Sequence, residues 1–183
     1  MSRRLFAASV AAAVSLLALG ATTASSEAAP RMTLTSADFT NDQAIPAQFS
    51  CEGPGLSPSL SWSNVPSGTQ SLALVVRDPD APGGNFVHWV LYEIPPNVTG
   101  LPRGAASQGA LPQGAQQGMN GKNDPGWTPP CPPSGTHHYH FELYALDNKA
   151  IPTASPTDTA LTTAMRGHVL AKAELIGTYK KAK

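Results

Sequence analysis

Two short stretches hold the residues most able to do chemistry. The first runs Arg77-Asp78-Pro79-Asp80-Ala81-Pro82-Gly83-Gly84-Asn85-Phe86-Val87-His88-Trp89, and the second is His137-His138-Tyr139-His140. Four of the five histidines of the chain fall in these two places. Paired carboxylates and histidines can exchange protons, and both side-chain types ligate zinc. Neither chemistry is completed by the pattern. No His-Glu-x-x-His or similar ligand grouping is present, and no Gly-x-Ser-x-Gly nucleophile elbow. His138 and His140 share a strand face by alternation and could chelate. Histidine and tyrosine donors, joined by loop N–H groups, suit a phosphate or a carboxylate. A carboxylate repels such an anion, so Asp78 is expected to orient His88 or to receive a cation. A small ligand with both an ammonium and a phosphate would satisfy both halves.

These residues need rigid supports. Ser71-Leu72-Ala73-Leu74-Val75-Val76 is a nearly continuous apolar run, expected as a strand buried on both faces and ending at the Asp-Pro-Asp turn. Pro79 and Pro82 restrict their own backbone angles and those of the residues before them, which holds both acids. Residues 86–94 form the next expected strand. Strict alternation places Phe86, His88, Val90, Tyr92 and Ile94 on one face, with Val87, Trp89 and Leu91 on the other. Residues 137–146 form a third, with His137, Tyr139, Phe141, Leu143 and Ala145 on the core face. A buried polar group needs a partner or a wet cavity. The economical arrangement is one pocket at the ends of adjacent strands, built from Asp78, Asp80, His88, His137 and Tyr139. The long connection 95–136, rich in glycine, proline and glutamine, would form its rim.

The remaining expectations are shorter. Residues 32–39 and 59–62 read as strands, and 45–51 as a further extended piece. Pro156-Thr157-Asp158 opens a helix of about three turns with Leu161, Ala164, Met165 and His168 on one face. Residues 173–179 alternate as a final strand. Glycine and proline together make 34 of 183 residues, which excludes a helical protein and fits short strands joined by turns. Basic and acidic side chains balance at 12 each, with no polybasic run, which excludes nucleic-acid binding.

Arg3 and Arg4 precede an apolar stretch over 5–21 and a small-residue segment ending Ser26-Glu27-Ala28-Ala29. This reads as an export signal spanning 1–29, of ordinary or twin-arginine type, leaving one domain over 30–183. The apolar stretch is shorter than the ~20 residues a spanning helix needs, so no stable membrane insertion is expected. Export would place Cys51 and Cys131 where disulfides persist. A bridge between them closes a loop of about 80 residues, worth ~4 kcal/mol by chain entropy. Two unpaired thiols are the alternative.

Asp78-Pro79-Asp80-Ala81-Pro82, His88-Trp89, Cys131-Pro132-Pro133 and His137-x-Tyr139 resemble the phosphatidylethanolamine-binding protein family, in its bacterial Raf-kinase-inhibitor-like branch. Ser57-Pro58-x-Leu60-x-Trp62, Val65-Pro66-x-Gly68-Thr69, Gly121-x-Asn123-Asp124-x-Gly126 and Tyr144-Ala145-Leu146 extend the resemblance over nearly all of the chain after residue 32. It implies a mainly β protein, a Greek-key sandwich of two antiparallel sheets with a small helix near the C-terminus. It also implies an anion pocket at one end, formed by Asp78, Asp80, His88, His137 and Tyr139 with Pro132 and Pro133 on its rim. The chain departs from the family at His138, where an arginine is usual, and at Pro129, where a glycine is common. The segment 126–129 is also shorter than usual. The expected function is an exported, non-enzymatic binder of phosphate, carboxylate or a phospholipid head group, with no cofactor and no metal. Two other classes are a module that inhibits a kinase or protease, and a weak hydrolase or metal enzyme.

Overall fold

The structure, a computed structural model, describes residues 31–148 and 154–182. The expected export signal, 1–29, therefore lies outside the described residues. Among the described residues nine strands and one α-helix succeed one another: β1 (Thr33–Thr35), β2 (Gln43–Ala44), β3 (Leu60–Ser63), β4 (Ser71–Asp78), β5 (Phe86–Ile94), β6 (Gly100–Leu101), β7 (Gln116–Gln117), β8 (His137–Leu146), α1 (Asp158–Met165) and β9 (Val169–Tyr179). A small sheet has the order β1-β3-β6, and a large one the order β2-β9-β8-β4-β5-β7. β4 and β5 form a hairpin, and β8 and β9 pair antiparallel across a connection that carries α1. In the large sheet β4, β5 and β7 lie side by side and β8 returns beside β4, so the order β8-β4-β5-β7 makes the Greek key. All pairs are antiparallel except β2 on β9, which is parallel and two residues long.

The main core lies between the sheets. It is built from Leu34, Leu60 and Trp62 of the small sheet and Leu72, Leu74, Val76, Trp89, Leu91, Phe141 and Leu143 of the large one. A second cluster fills the opposite face of the large sheet, where Ala73, Val75, Val90, Tyr92 and Leu146 meet Leu161 and Met165 of α1. β4 is therefore covered on both faces, which is why its sequence is apolar without alternation.

Helix α1 is shorter than expected. Thr157 caps it by accepting from the Ala160 N–H, and Gly167 at φ +84° follows its end, so it spans about two turns. His168 lies beyond it, bonded to Asp147 rather than on the helix face. Arg77 clamps α1 to the sheet. Its guanidinium pairs with Asp158 of α1 and with Glu142 of β8, and reaches Thr162 at 3.3 Å. The expected extended piece at 45–51 is a 3-10 turn, Ala47–Phe49, which buries Phe49 after Pro46. Its Ser50 hydroxyl donates to the Tyr179 hydroxyl at 2.7 Å, tying the turn to β9.

Candidate functional site

β5 does not alternate strictly. Val76 faces Trp89 but the next residue, Arg77, faces Val87, so His88 is the extra residue of a bulge. A second irregularity lies near Glu93, which has φ +55°. The first bulge puts His88 and Trp89 on the same side. Val90 and Tyr92 then face α1, while Trp89, Leu91 and Ile94 face the inter-sheet core. The alternation expected over 86–94 is thus corrected: His88 does not share a face with Val90 and Tyr92. It points instead to the end of the sandwich where β4 stops and β8 begins.

There β8 supplies His137 and Tyr139 from its core face, as its alternation requires. Asp78, the last residue of β4, accepts from His137 Nδ1 at 2.7 Å through one oxygen and from the Asp80 N–H at 2.9 Å through the other. All of Asp78, His88 and His137 are buried. The expectation that Asp78 orients His88 is corrected: it orients His137. His88 is oriented by the rim, because its Nδ1 donates to the Thr128 carbonyl at 2.7 Å while the Thr128 N–H donates to the His88 carbonyl. Trp127, the residue before, packs against Trp89 and Phe141 and so anchors the rim to the core.

These groups line a cavity of about 300 Å³ with Phe86, Lys122, Pro129, Pro132, Pro133 and both half-cystines. Cys51 and Cys131 are bonded to one another, with Cα atoms 5.4 Å apart, so the bridge is itself part of the wall. The Tyr139 ring is fully buried and meets His88 edge-on at 5.0 Å. Its hydroxyl finds no hydrogen-bond partner among the described residues. Burial raises its pKa far above the usual phenol range, with the Asp78 charge adding to the effect, so the group stays a donor. Burial also lowers the His88 pKa, more than the Thr128 bond and the Asp78 charge raise it, and this favours the neutral ring. With Nδ1 donating to a carbonyl, the free nitrogen of a neutral His88 is Nε2, a lone-pair acceptor.

Asp78, His88, Pro132, Pro133, His137 and Tyr139 come together in one wall, as expected from sequence. Asp80 does not line it. It turns outward and accepts from both the His138 N–H and His138 Nδ1, and these bonds, the side-chain one first, lower its pKa. His138 is thereby occupied, and His140 pairs with Glu174, so the two do not form a chelate. Among the described residues no group of three or more His, Cys, Asp or Glu side chains is arranged to hold a metal.

Lys122 was missed by sequence reasoning. The Lys122 and Asp124 N–H groups both donate to Asn120 Oδ1, and the buried Asn120 amide reaches the Gly126 carbonyl, which folds residues 120–126 into a compact turn. That turn carries Lys122 to the cavity and close enough to His88 for its charge to act on the ring. Gly121 is needed for the approach, because a Cβ there would sit 2.6 Å from the Phe86 ring. The turn residues Asn120-Gly121-Lys122-Asn123-Asp124-Pro125-Gly126 were a local signal, but nothing local says which wall they meet.

The sequence profile described as "Phosphatidylethanolamine-binding protein" matches residues 35–180. The chain belongs to the phosphatidylethanolamine-binding protein family. A UPF0098 protein of Methanothermobacter thermautotrophicus is 45% identical over 152 residues, covering 82% of this chain and 99% of its own. The UPF0098 protein YbcL of Escherichia coli is 44% identical over 138 residues, covering 72% of this chain and 75% of its own. The crystal structure of E. coli YbcL superposes with a TM-score of 0.78 at 35% identity, over 84% of this chain and 100% of that one. That of a phosphatidylethanolamine-binding protein homologue from Chlamydia trachomatis gives 0.77 at 42% identity, over 83% and 99%. The family membership and the mainly β, two-sheet architecture implied by the resemblance are both borne out.

Proposed function

We propose that this family member is an exported binder of a small oxyanion: phosphate, a carboxylate or the head group of a phospholipid. The observation that carries the reading is the Tyr139 hydroxyl, buried and unpartnered at the wall of a cavity that also holds His88, His137 and Lys122. An unpaired buried hydroxyl is costly, about 1–3 kcal/mol, and an incoming acceptor removes that cost. Lys122 supplies positive charge. Asp78 lies in the cavity wall, with one oxygen accepting from His137 Nδ1 and the other from the Asp80 N–H. These bonds hold Asp78 and the His137 ring in fixed positions at that wall. Export is supported by the Cys51–Cys131 bridge, of a kind that persists in oxidising compartments, and by the charged, apolar and small-residue order of 1–29.

The test is an NMR titration of histidine side chains at pH 7.5 with phosphate, phosphoethanolamine and acetate. Saturable shifts at His88 and His137, absent at His168 beyond the opposite end of β8, are expected with phosphate and phosphoethanolamine. Unmoved resonances at His88 and His137 with all three would remove the pocket as the site of function. Localisation of the full-length protein by cell fractionation, with Arg3 and Arg4 intact or replaced by Gln, checks export.

A further inference from the structure

We propose that the pocket selects oxyanions that keep an acidic O–H, hydrogen phosphate and protonated phosphomonoesters, over those that have none, such as sulfate and phosphodiesters. The inference rests on the oxyanion reading above and divides the ligands that it allows.

The argument begins at His88. Its Nδ1 lies 2.7 Å from the Thr128 carbonyl oxygen, which can only accept. Nδ1 must therefore carry a hydrogen. The ring is buried, packed edge-on between Phe86 and Tyr139 with Trp127 near, and all three of these neighbours are aromatic. Such surroundings disfavour a second proton. The charged and titratable groups that face it are Asp78 from β4, Lys122 from the 120–126 turn, and His137 and Tyr139 from β8. Lys122 and His137 oppose imidazolium formation and Asp78 favours it, and burial outweighs them all. Nε2 is left as an acceptor with no hydrogen-bond partner among the described residues, in the cavity that also holds Tyr139 and Lys122.

A ligand that fits has oxygens to accept from Tyr139 and Lys122, and one O–H to donate to His88. Inorganic phosphate keeps at least one P–OH throughout the neutral range. A phosphomonoester keeps one only below its second ionisation, at about pH 6. Sulfate and a phosphodiester keep none. They would place an oxygen lone pair against the His88 lone pair, or bind only after His88 takes up a proton. Sites built to bond a ligand O–H discriminate strongly against analogues that lack it. The cavity is open to water on one side, so a partial effect is expected, at least ~10-fold.

Four probes separate the cases: inorganic phosphate, sulfate, methyl phosphate and dimethyl phosphate, each titrated into the purified protein between pH 5.5 and 8. Methyl and dimethyl phosphate stand for monoester and diester head groups, and inorganic phosphate for the free ion. At pH 7.5 hydrogen phosphate should bind at least tenfold more tightly than sulfate or dimethyl phosphate. Methyl phosphate should lose affinity relative to inorganic phosphate as pH rises through its second ionisation. Sulfate affinity should fall by about tenfold per pH unit above the His88 titration, the mark of one coupled proton, whereas phosphate should not follow that slope. Equal binding of all four ions at pH 7.5 overturns the O–H selection and leaves the oxyanion pocket standing. Binding of none overturns both.

Discussion

Replacing Tyr139 by phenylalanine should make the ligand-free protein more stable and its oxyanion binding weaker. Most buried tyrosines behave the other way, because their hydroxyl is bonded and its loss costs roughly 1 kcal/mol. Here the ring is fully buried and its contact with His88 at 5.0 Å survives in phenylalanine, while the hydroxyl has no protein partner to lose. Relief of an unpaired buried polar group is worth about 1–3 kcal/mol at full desolvation. Because the hydroxyl borders a cavity, a gain of roughly 0.5–2 kcal/mol is expected. The bound state changes with opposite sign. A hydrogen bond to a charged partner contributes about 1.5–3 kcal/mol, so Tyr139→Phe should weaken phosphate binding by roughly 10- to 100-fold. Linkage makes both effects visible in one assay. Phosphate at ten times the wild-type Kd stabilises the wild-type protein by about 1.4 kcal/mol, and a tenfold weaker variant by only about 0.4 kcal/mol. Urea unfolding at pH 7.5, with and without phosphate in a buffer otherwise free of oxyanions, reads all four states. A variant that is destabilised by more than about 1 kcal/mol and keeps full phosphate stabilisation would refute the reasoning, because the hydroxyl would then be bonded within the fold.

Other perturbations give separate readouts. Arg77→Gln removes the cation shared by Asp158 and Glu142, both mostly buried, and Glu142 keeps Lys172 while Asp158 loses its guanidinium; a loss of about 2–4 kcal/mol in urea unfolding is expected, and a loss below 0.5 kcal/mol would show that the clamp on α1 is not structural. Cys51→Ser with Cys131→Ser opens a loop of sequence separation 80; a loss of about 4 kcal/mol is expected by chain entropy, together with weaker phosphate binding since the bridge is part of the cavity wall. His88 has its pKa lowered below 6.5 in the folded protein, chiefly by burial. Its contribution to stability is therefore complete above pH 6.5 and is lost as pH falls from there through the folded-state value. His88→Gln should flatten that part of the stability profile between pH 7.5 and 5, and an unchanged profile would assign the acid sensitivity elsewhere. Gly121→Ala should displace the Phe86 wall, with a Cβ at 2.6 Å from its ring, and reduce phosphate affinity more than it reduces stability.

The sequence was most informative where one strand carries its own phase. β8 runs Leu146 back to His137 as expected, and its core face holds His137, Tyr139, Phe141, Leu143 and Ala145, because the other face is polar and fixes the parity. The bounds of β5 were equally legible, since Phe86–Ile94 is bracketed by Gly83-Gly84 and Pro95-Pro96. Its faces were not. Both sides of that strand are apolar, so a one-residue bulge leaves no trace in the pattern while it moves His88 from one side to the other. The residue types of the site, two acids, two histidines and a tyrosine near Cys-Pro-Pro, were thus determined by sequence alone, and so was the pairing chemistry open to them. Which acid holds which histidine was not. Asp78 and His137 are 59 residues apart, and His88 and Thr128 are 40 apart. Such contacts depend on strand register and on where a long connection folds back, neither of which any local spacing encodes. Only the tertiary structure turned Asp80 out to His138, brought Lys122 in beside His88, and left the Tyr139 hydroxyl buried without a partner. The reason is physical: burial and pairing are properties of the packed chain, and a residue's type states only what it could bond, never what it meets.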